Sequence, residues 1–354
     1  MSAVTKGHRY LLSAAALLVF SIVLFGCSPA EKKDAAAAAA PAQPVVFHLN
    51  HFMPAMHPVN VNLLEPLAKE VKEKTQGRVD IVIHPGNALA APADTYDAVV
   101  SGVAGMGFVL PAYTPGRFPM SQILEYPFMF TSALQANLTA KEMTPMLREH
   151  EYTDTYLLWF GGTDLGDFLM KANVKTLGDM QGKKLRSPGP IYNDVIAAIK
   201  GVQVSLPVSD LYDSMDRGIV DGTVMAPSAL ISFRLMEVTN TIVQLDMYTT
   251  PLIFFANKEL WNKVSAADQK IIMDIVDTFP ERAGKQYDAE VKHAMSLAAE
   301  KQKNIFRFTE AEMVQFHALT DPLVKGWIAK LESSGKPGQK LYDLAVEAAK
   351  KYKQ

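Results

Sequence analysis

VVFHLN (45–50) and VDIVIH (79–84) enclose the stretch of the chain that decides the fold. The first run is apolar enough for a buried strand, and the second alternates in the way that is typical of a strand with one buried face. Between them, apolar residues recur at helical spacing before a glycine that can end a helix: Leu64, Leu67, Val71 and Gly77. The order strand, helix, strand predicts parallel strands with helices packed on the sheet.

The same order of elements recurs along the chain. A helix over 94–101 and a strand over 106–110 complete a first set. After a helical stretch over 134–150 a second set follows, with elements predicted at 156–160 (strand), 184–187 (strand), 191–200 (helix) and 202–206 (strand). Two successive sets predict an α/β protein with two lobes.

Three further features concern helices. Ser209 can cap the helix that follows the second set. A long helical region over 265–305 is expected to be kinked by Pro280. Thr309 and Glu312 have the spacing of a capping box, which predicts that a C-terminal helix begins there.

The N-terminus has the layout of an export signal. Lys6 and Arg9 precede an apolar run over 10–25, and the run leads to Gly26 and Cys27, the single cysteine of the chain. A cysteine directly after a small residue resembles the bacterial lipoprotein box, in which the thiol is acylated. We expect a signal peptide over 1–26, a lipid on Cys27 that anchors the chain to a membrane in the periplasm, and a flexible, alanine-rich and proline-rich tether over 27–44.

Two other interpretations of this segment stay open. The apolar run over 10–25 could be a transmembrane anchor, although a spanning helix needs about 20 apolar residues. A plain cleaved signal would leave Cys27 incidental. A single cysteine also cannot form an internal disulfide, so the stability of the folded chain has to come from its core.

Composition and motifs narrow the class of function. The chain has 35 Lys and Arg against 37 Asp and Glu, without a basic block, which argues against a nucleic-acid partner. His48, His51 and His57 cluster in sequence, but no carboxylate accompanies them and strand geometry turns His51 away from His48, so no metal site is predicted. Motifs of serine hydrolases, zinc proteases and P-loop enzymes are absent, and we predict a binding protein without a cofactor.

One stretch points to a ligand site. KKLRSPG (183–189) places Arg186 near the end of a predicted strand that opens into a helix. In open α/β sheets, ligands bind at such carboxyl ends. Because a guanidinium offers a rigid fork of donors, it matches a carboxylate. From the spacing alone, Arg186 could instead be an exposed or ion-paired residue without a ligand.

The wider pattern resembles the solute receptors of TRAP transporters, the DctP-type family. Its signature joins a D-x-x-G-x-K-x-R strand, a P-x-S-E-x-Y segment and a G-x-x-D-G turn. The matching residues here are Asp179, Gly182, Lys184 and Arg186; Ser209, Asp210 and Tyr212; and Gly218, Asp221 and Gly222. The resemblance covers nearly all of 45–354 and also includes Asn50, 73–78, 126–128, Trp261 and 267–269.

The resemblance implies a two-lobed, periplasmic-binding-protein-like fold with a hinge and a long connecting helix. Lobe I would comprise 45–163 with about 252–291, and lobe II 164–251 with about 292–354. The lobes would close on an organic acid whose carboxylate Arg186 clamps. The ligand would then be delivered to small and large integral-membrane subunits that an ion gradient drives.

The pocket departs from the sialic-acid-binding members of the family. In those members the pocket has a second arginine, an asparagine, a stacking phenylalanine and an acidic residue. This sequence has, in the same order, Gly166, Met225, Val208 and Leu110 at the matching positions, while Asn50 matches a pocket asparagine. We also predict Phe168 as a pocket residue. One cation in an apolar pocket favours a mostly apolar monocarboxylate, aromatic or branched. A buried CH₂ contributes about 0.8 kcal/mol, whereas an unpaired sugar hydroxyl costs about 1–3 kcal/mol.

Other functions stay open at this point. The chain could be a sensory receptor that feeds a signalling protein, or it could take up a C4-dicarboxylate or a sugar acid. An extracytoplasmic enzyme is a further class.

Overall fold

The computed structural model describes residues 43–353, in which eleven strands form two sheets. The strands are β1 (Val45–His51), β2 (Val79–His84), β3 (Met106–Val109), β4 (Thr155–Leu165), β5 (Asp167–Met170), β6 (Lys184–Ser187), β7 (Val202–Ser205), β8 (Gly222–Met225), β9 (Thr241–Val243), β10 (Thr249–Asn257) and β11 (Asn304–Phe306).

Helices connect the strands and cover the sheets. They are α1 (Glu65–Lys74), α2 (Thr95–Val100), α3 (Ala133–His150), α4 (Pro190–Ala198), α5 (Leu211–Asp216), α6 (Ala229–Ser232), α7 (Lys258–Lys263), α8 (Ala266–Val276), α9 (Phe279–Glu300), α10 (Glu310–Ser333) and α11 (Gly338–Lys351). The predicted α/β class and two-lobed architecture are confirmed.

The first sheet has the strand order β2-β1-β3-β10-β4. The predicted unit β1-α1-β2 is parallel, and α1 buries Leu67 and Val71. The chain leaves α1 through Gly77 at a φ of +77°, a conformation that glycine adopts without steric cost. The carboxyl ends of β1 and β3, which are also parallel, therefore lie at one edge of the sheet.

The second sheet has the order β11-β9-β5-β8-β6-β7. In it β6 is parallel to β7 and β8, whereas β5 is antiparallel to β8 and β9. In the first sheet β10 is antiparallel to β3 and β4. Both sheets are thus mixed, and the expectation of simple parallel sheets is wrong, because strands that return from one sheet to the other run in the opposite direction.

The chain passes between the two sheets at closely spaced positions. Gly166 is the single residue between β4 in the first sheet and β5 in the second, and residues 244–248 connect β9 to β10 in the reverse direction. Helix α9 packs on α3 and on β4 of the first sheet and also reaches β11 of the second sheet. The two sheets are therefore joined by two short crossings and one long helix.

Two sequence expectations about helices need correction. The region 265–305 is not one kinked helix, because α8 ends at Val276 and α9 begins at Phe279, with Pro280 in its first turn, where the missing N–H carries no penalty. Ser209 does not cap α5, since its hydroxyl donates to Asp210 at 3.1 Å and a short 3-10 turn precedes the helix.

The capping box at Thr309 is confirmed. The Thr309 hydroxyl accepts from the backbone N–H of Glu312, and the Glu312 carboxylate accepts from that of Thr309 at 2.9 Å. The signal peptide, Cys27 and nearly all of the tether fall outside the described residues. Of the helices within 43–353, none has the length and apolar character needed to cross a membrane.

Candidate functional site

A cavity lies where strands of both sheets end, with about 500 Å³ of space between protein atoms, part of which is open to solvent. The loops after β1 and β3 contribute one side, and the ends of β6 and β8 contribute the other. The lining residues on which the site depends are Phe52, Met53, His57, Leu110, Tyr113, Arg186, Val208, Met225, Ser228, Ser232, Phe233 and Leu252. The site thus lies at carboxyl ends of strands, where ligands bind in open α/β sheets.

Arg186 is the cationic group of the cavity wall among the described residues. Strand β6 buries it between Leu185 and Ser187, and only 1% of its surface is exposed. Its Nε donates to the carbonyl of Leu206 at 2.8 Å, which fixes the plane of the guanidinium. Nη1 lies 3.5 Å from Met225 Sδ, a weak acceptor.

The remaining arginine nitrogen, Nη2, is buried and has no hydrogen-bond partner within residues 43–353. No ion pair within those residues involves Arg186 either. A buried charge is costly unless it is paired and hydrogen-bonded. The arrangement is therefore suited to an anionic ligand that accepts from the two terminal nitrogens.

Tyr113 adds a neutral polar group beside the arginine. Its hydroxyl oxygen accepts from the backbone N–H of Val208 at 3.1 Å, so its own hydrogen is available to a further acceptor. Burial raises the pKa of Tyr113, and the positive charge of Arg186 opposes part of this rise. The ring packs edge-on against Phe52, with 5.6 Å between the ring centroids.

The rest of the cavity wall is mostly apolar. A few polar side chains also line it, and Ser228 among them is hydrogen-bonded to a neighbouring residue. The Ser228 hydroxyl donates to Asp164 at 2.6 Å, and the Ser228 backbone N–H donates to the same carboxylate at 2.9 Å. Burial raises the pKa of Asp164 to about 7, although these hydrogen bonds lower it. His57 is 6% exposed, and burial lowers its pKa to about 3, so the imidazole is neutral.

Four of the seven predicted pocket residues line the cavity, namely Arg186, Val208, Met225 and Leu110. Asn50 is not one of the lining residues: its amide nitrogen donates to Ala90 and Thr95, and its oxygen accepts from Leu89. Because all of its polar atoms serve the 89–95 loop, Asn50 organises the first sheet instead of facing the cavity.

Phe168 and Gly166 also lie away from the lining. Phe168 is fully buried on β5, between the neighbouring strands β8 and β9. A Cβ atom on Gly166 would lie 2.2 Å from Cζ of Tyr248, so a long side chain cannot occupy this position. The Tyr248 ring occupies the space in which a side chain on residue 166 would lie.

Sequence reasoning missed Tyr113, His57 and Phe233. Each follows the end of a strand or a short helix, in a loop without periodicity. For Tyr113 and His57, the signal that could have found them is an aromatic or imidazole ring in the segment after a strand end, whereas Phe233 follows helix α6 and has no such signal. The three histidines do not converge: His48 lies 2.9 Å from His84, His51 lies 2.9 Å from Asn60, and residues 43–353 hold no group of three possible metal ligands.

Comparison with known proteins agrees with this geometry. A family model described as bacterial extracellular solute-binding protein, family 7 (DctP), matches residues 49–331. A solute-binding protein of Verminephrobacter eiseniae is 27% identical over 220 residues, which are 60% of this chain and 64% of the relative. The outer membrane transporter protein TsaT of Comamonas testosteroni is 22% identical over 311 residues, 86% of this chain and 92% of the relative.

Solved structures show the same fold. A TRAP solute-binding protein from a marine metagenome, specific for aromatic acid ligands and bound to 3-hydroxybenzoate, superposes with a TM-score of 0.82 at 26% identity, covering 88% of this chain and 100% of that one. A sugar acid binding protein of Advenella mimigardefordensis with galactonate reaches 0.78 at 18% identity, covering 88% and 99%. Because the family model spans most of the chain and describes binding proteins, not enzymes, this chain belongs to the DctP family of bacterial extracellular solute-binding proteins.

Proposed function

We propose that this protein is the extracytoplasmic receptor of a TRAP transporter and that its ligand is an aromatic monocarboxylate. One observation carries the proposal: the buried Arg186 has a terminal nitrogen without a partner among the described residues, and it faces a cavity with mostly apolar walls. The ligand carboxylate would accept from Arg186 and from the Tyr113 hydroxyl. The apolar body would lie against the rings and aliphatic side chains.

The composition of the wall supports an aromatic body over a sugar acid. The side chains of Leu110 and Val208 have no hydrogen-bonding atom, and Met225 has only its thioether sulfur. These residues therefore offer the hydroxyls of a sugar acid no partner apart from that sulfur. Each hydroxyl left without a partner would cost about 1–3 kcal/mol. One metagenomic solute-binding protein, solved with 3-hydroxybenzoate (26% identity) and, as a triple surface mutant, with metahydroxyphenylacetate (25% identity), supports the same class.

Transport is the second part of the proposal. Lobe I (45–163 with about 252–291) and lobe II (164–251 with about 292–354) would close on the ligand by movement at the crossings. Closure would remove the ion pair from bulk water and so strengthen it. The closed form would deliver the acid to the integral-membrane subunits.

Membrane attachment is the third part. We propose that residues 1–26 are removed and that Cys27 is acylated, which would hold the receptor at the membrane through the 27–44 tether. Mass spectrometry of the N-terminal peptide tests this directly, because an acyl-bearing Cys27 is expected. Recovery of a mature chain that begins elsewhere would contradict it.

A thermal-shift and calorimetry panel tests the ligand class. Benzoate and phenylacetate are expected to stabilise the purified protein and to bind with a 1:1 stoichiometry. Gluconate, sialic acid and succinate serve as the comparison, because gluconate and sialic acid carry their carboxylate on a hydroxylated body and succinate carries a second carboxylate. The proposed ligand class fails when a polar acid stabilises the protein and the aromatic acids do not.

A further inference from the structure

We propose that His57 is a specificity-determining residue, whose Nε2–H donates to a hydroxyl carried by the aromatic ligand at a distance from its carboxylate. The inference rests on the proposed function, because it assumes an aromatic acid held by Arg186. It adds that the preferred ligand is a hydroxylated aromatic acid and that the imidazole recognises the hydroxyl.

The tautomer of His57 follows from its hydrogen bonds. The backbone N–H of Val59 donates to His57 Nδ1 at 3.2 Å, so this nitrogen carries a lone pair and not a proton. A neutral imidazole then has its hydrogen on Nε2. Burial keeps the ring neutral at physiological pH. His57 therefore presents one donor.

That donor is available to a ligand. His57 is 94% buried and lines the cavity, yet its Nε2 makes no hydrogen bond to any residue between 43 and 353. His51, the nearest other histidine in sequence, differs, because its Nε2 is 2.9 Å from Asn60 Oδ1. An unused donor in an apolar wall gains most from an acceptor that the ligand supplies.

The surroundings of His57 suit the ring end of the ligand. Its imidazole packs on Phe233, with 5.2 Å between the ring centroids, whereas Arg186 contacts Leu206 and Met225. The two polar groups thus have separate neighbours in the wall. A ligand that reaches both needs its second polar group apart from its carboxylate.

The hydrogen of a ligand hydroxyl also has acceptors in the same wall. Phe233 follows helix α6 directly, and Ser232 and Ser228 of this region line the cavity. The Ser232 hydroxyl donates to the carbonyl of Ser228 at 3.2 Å, and the Ser228 hydroxyl donates to Asp164. Since both hydroxyls are used as donors, their oxygens can accept. A phenolic hydroxyl fits this arrangement as acceptor and donor together.

Calorimetry with matched ligand pairs tests the inference. The pairs are benzoate with 3-hydroxybenzoate and phenylacetate with 3-hydroxyphenylacetate, and the readout is the ratio of the two Kd values. In the unaltered protein the hydroxylated member is expected to bind about 3–10-fold more tightly, the usual net gain of one hydrogen bond. His57→Phe should bring the ratio close to one, and His57→Gln, which keeps an N–H donor, should restore part of it.

The control is His48→Ala, an exposed histidine outside the cavity, which should leave the ratio at its original value. A ratio near one in the unaltered protein overturns the inference by itself, even when a variant does not fold. A ratio that survives His57→Phe also overturns it. In both outcomes benzoate still binds, so only the inference about His57 fails. If no aromatic acid binds, the proposed function itself is contradicted.

Discussion

Gly166 donates its backbone N–H to the carbonyl of Tyr248 at 2.6 Å, and these two residues belong to the two crossings between the sheets. The Gly166 carbonyl also accepts from the N–H of Met247 at 2.9 Å. The outgoing and returning chains are therefore hydrogen-bonded to each other where they pass between the two sheets. The Tyr248 ring fills the space that a side chain on residue 166 would need.

Replacing Gly166 by alanine is expected to destabilise the protein. The new Cβ would meet Tyr248 at 2.2 Å, and overpacking of this kind costs about 1–3 kcal/mol in the free energy of unfolding. Urea denaturation followed by circular dichroism measures the change. Gly326→Ala is the control, because a Cβ there has no neighbour within 4 Å. Equal stability of the two variants would show that the crossing tolerates a methyl group.

Arg186→Met is expected to weaken ligand binding without weakening the fold. Loss of a buried charged partner costs about 2–5 kcal/mol of binding free energy, which is roughly 30-fold to several thousand-fold in Kd. The ligand-free protein should keep or raise its midpoint of thermal unfolding, since a buried unpaired charge is replaced by an apolar side chain. Calorimetry and a thermal melt together check both expectations.

Arg217→Met provides the comparison for Arg186, because Arg217 is exposed and does not line the cavity. Its replacement should change neither Kd nor the melting midpoint. Unchanged affinity in the Arg186 variant would show that the guanidinium does not bind the ligand, and it would contradict the proposed function.

Arg186 and Asn50 were both predicted to line the pocket, but only Arg186 does, and the difference shows what the sequence could predict. The strand that carries Arg186 was predicted correctly, because the signals that place it, including the start of the following helix, lie close to it in sequence. Asn50 lies on a correctly predicted strand, but its side chain bonds to the loop over 89–95, about 40 residues away. Which face of a strand meets a cavity depends on such distant contacts.

The position of β10 is a second example. Its residues are all buried and mostly apolar, but periodicity gives no strand direction or partner. Its antiparallel place between β3 and β4 follows from the return of the chain through residues 244–248. For the same reason the contact between Gly166 and Tyr248 could not be inferred from either segment alone.

The buried carboxyl of Asp167 is expected to make stability depend on pH. Burial and repulsion from Asp246 raise its pKa from 3.8 to about 8. The folded chain thus holds this proton more tightly than the unfolded chain, and the free energy of unfolding falls as the pH rises from 3.8 towards 8. Between pH 5.5 and 7.5 this carboxyl should account for a loss of about 1–3 kcal/mol.

Asp167→Asn tests this dependence, because an asparagine oxygen can still accept from the N–H groups of Leu245 and Asp246. The stability of the variant relative to the unaltered protein should increase with pH. Asp343→Asn removes an exposed carboxylate, and its free energy of unfolding should change with pH in the same way as that of the unaltered protein. Parallel profiles for Asp167→Asn and the unaltered protein would mean that this carboxyl does not retain its proton on folding.

Tyr113→Phe is expected to weaken carboxylate binding about 10–100-fold, the range for a hydrogen bond to a charged group. The change removes the hydroxyl that accepts from Val208 and that is free to donate to the ligand. Tyr212→Phe is the matched control, since the Tyr212 hydroxyl donates to Glu237 at 2.7 Å, away from the cavity. Its Kd should stay unchanged.

A double-mutant cycle decides whether Tyr113 and Arg186 bind the same carboxylate. When both act on one anion, the loss in Arg186→Met/Tyr113→Phe should be smaller than the sum of the two single losses, because the second substitution removes a contact that the first has already weakened. Strict additivity would show that the two side chains act independently of each other. The carboxylate would then be held by Arg186 without help from the phenol, and Tyr113 would serve to fix the backbone at Val208.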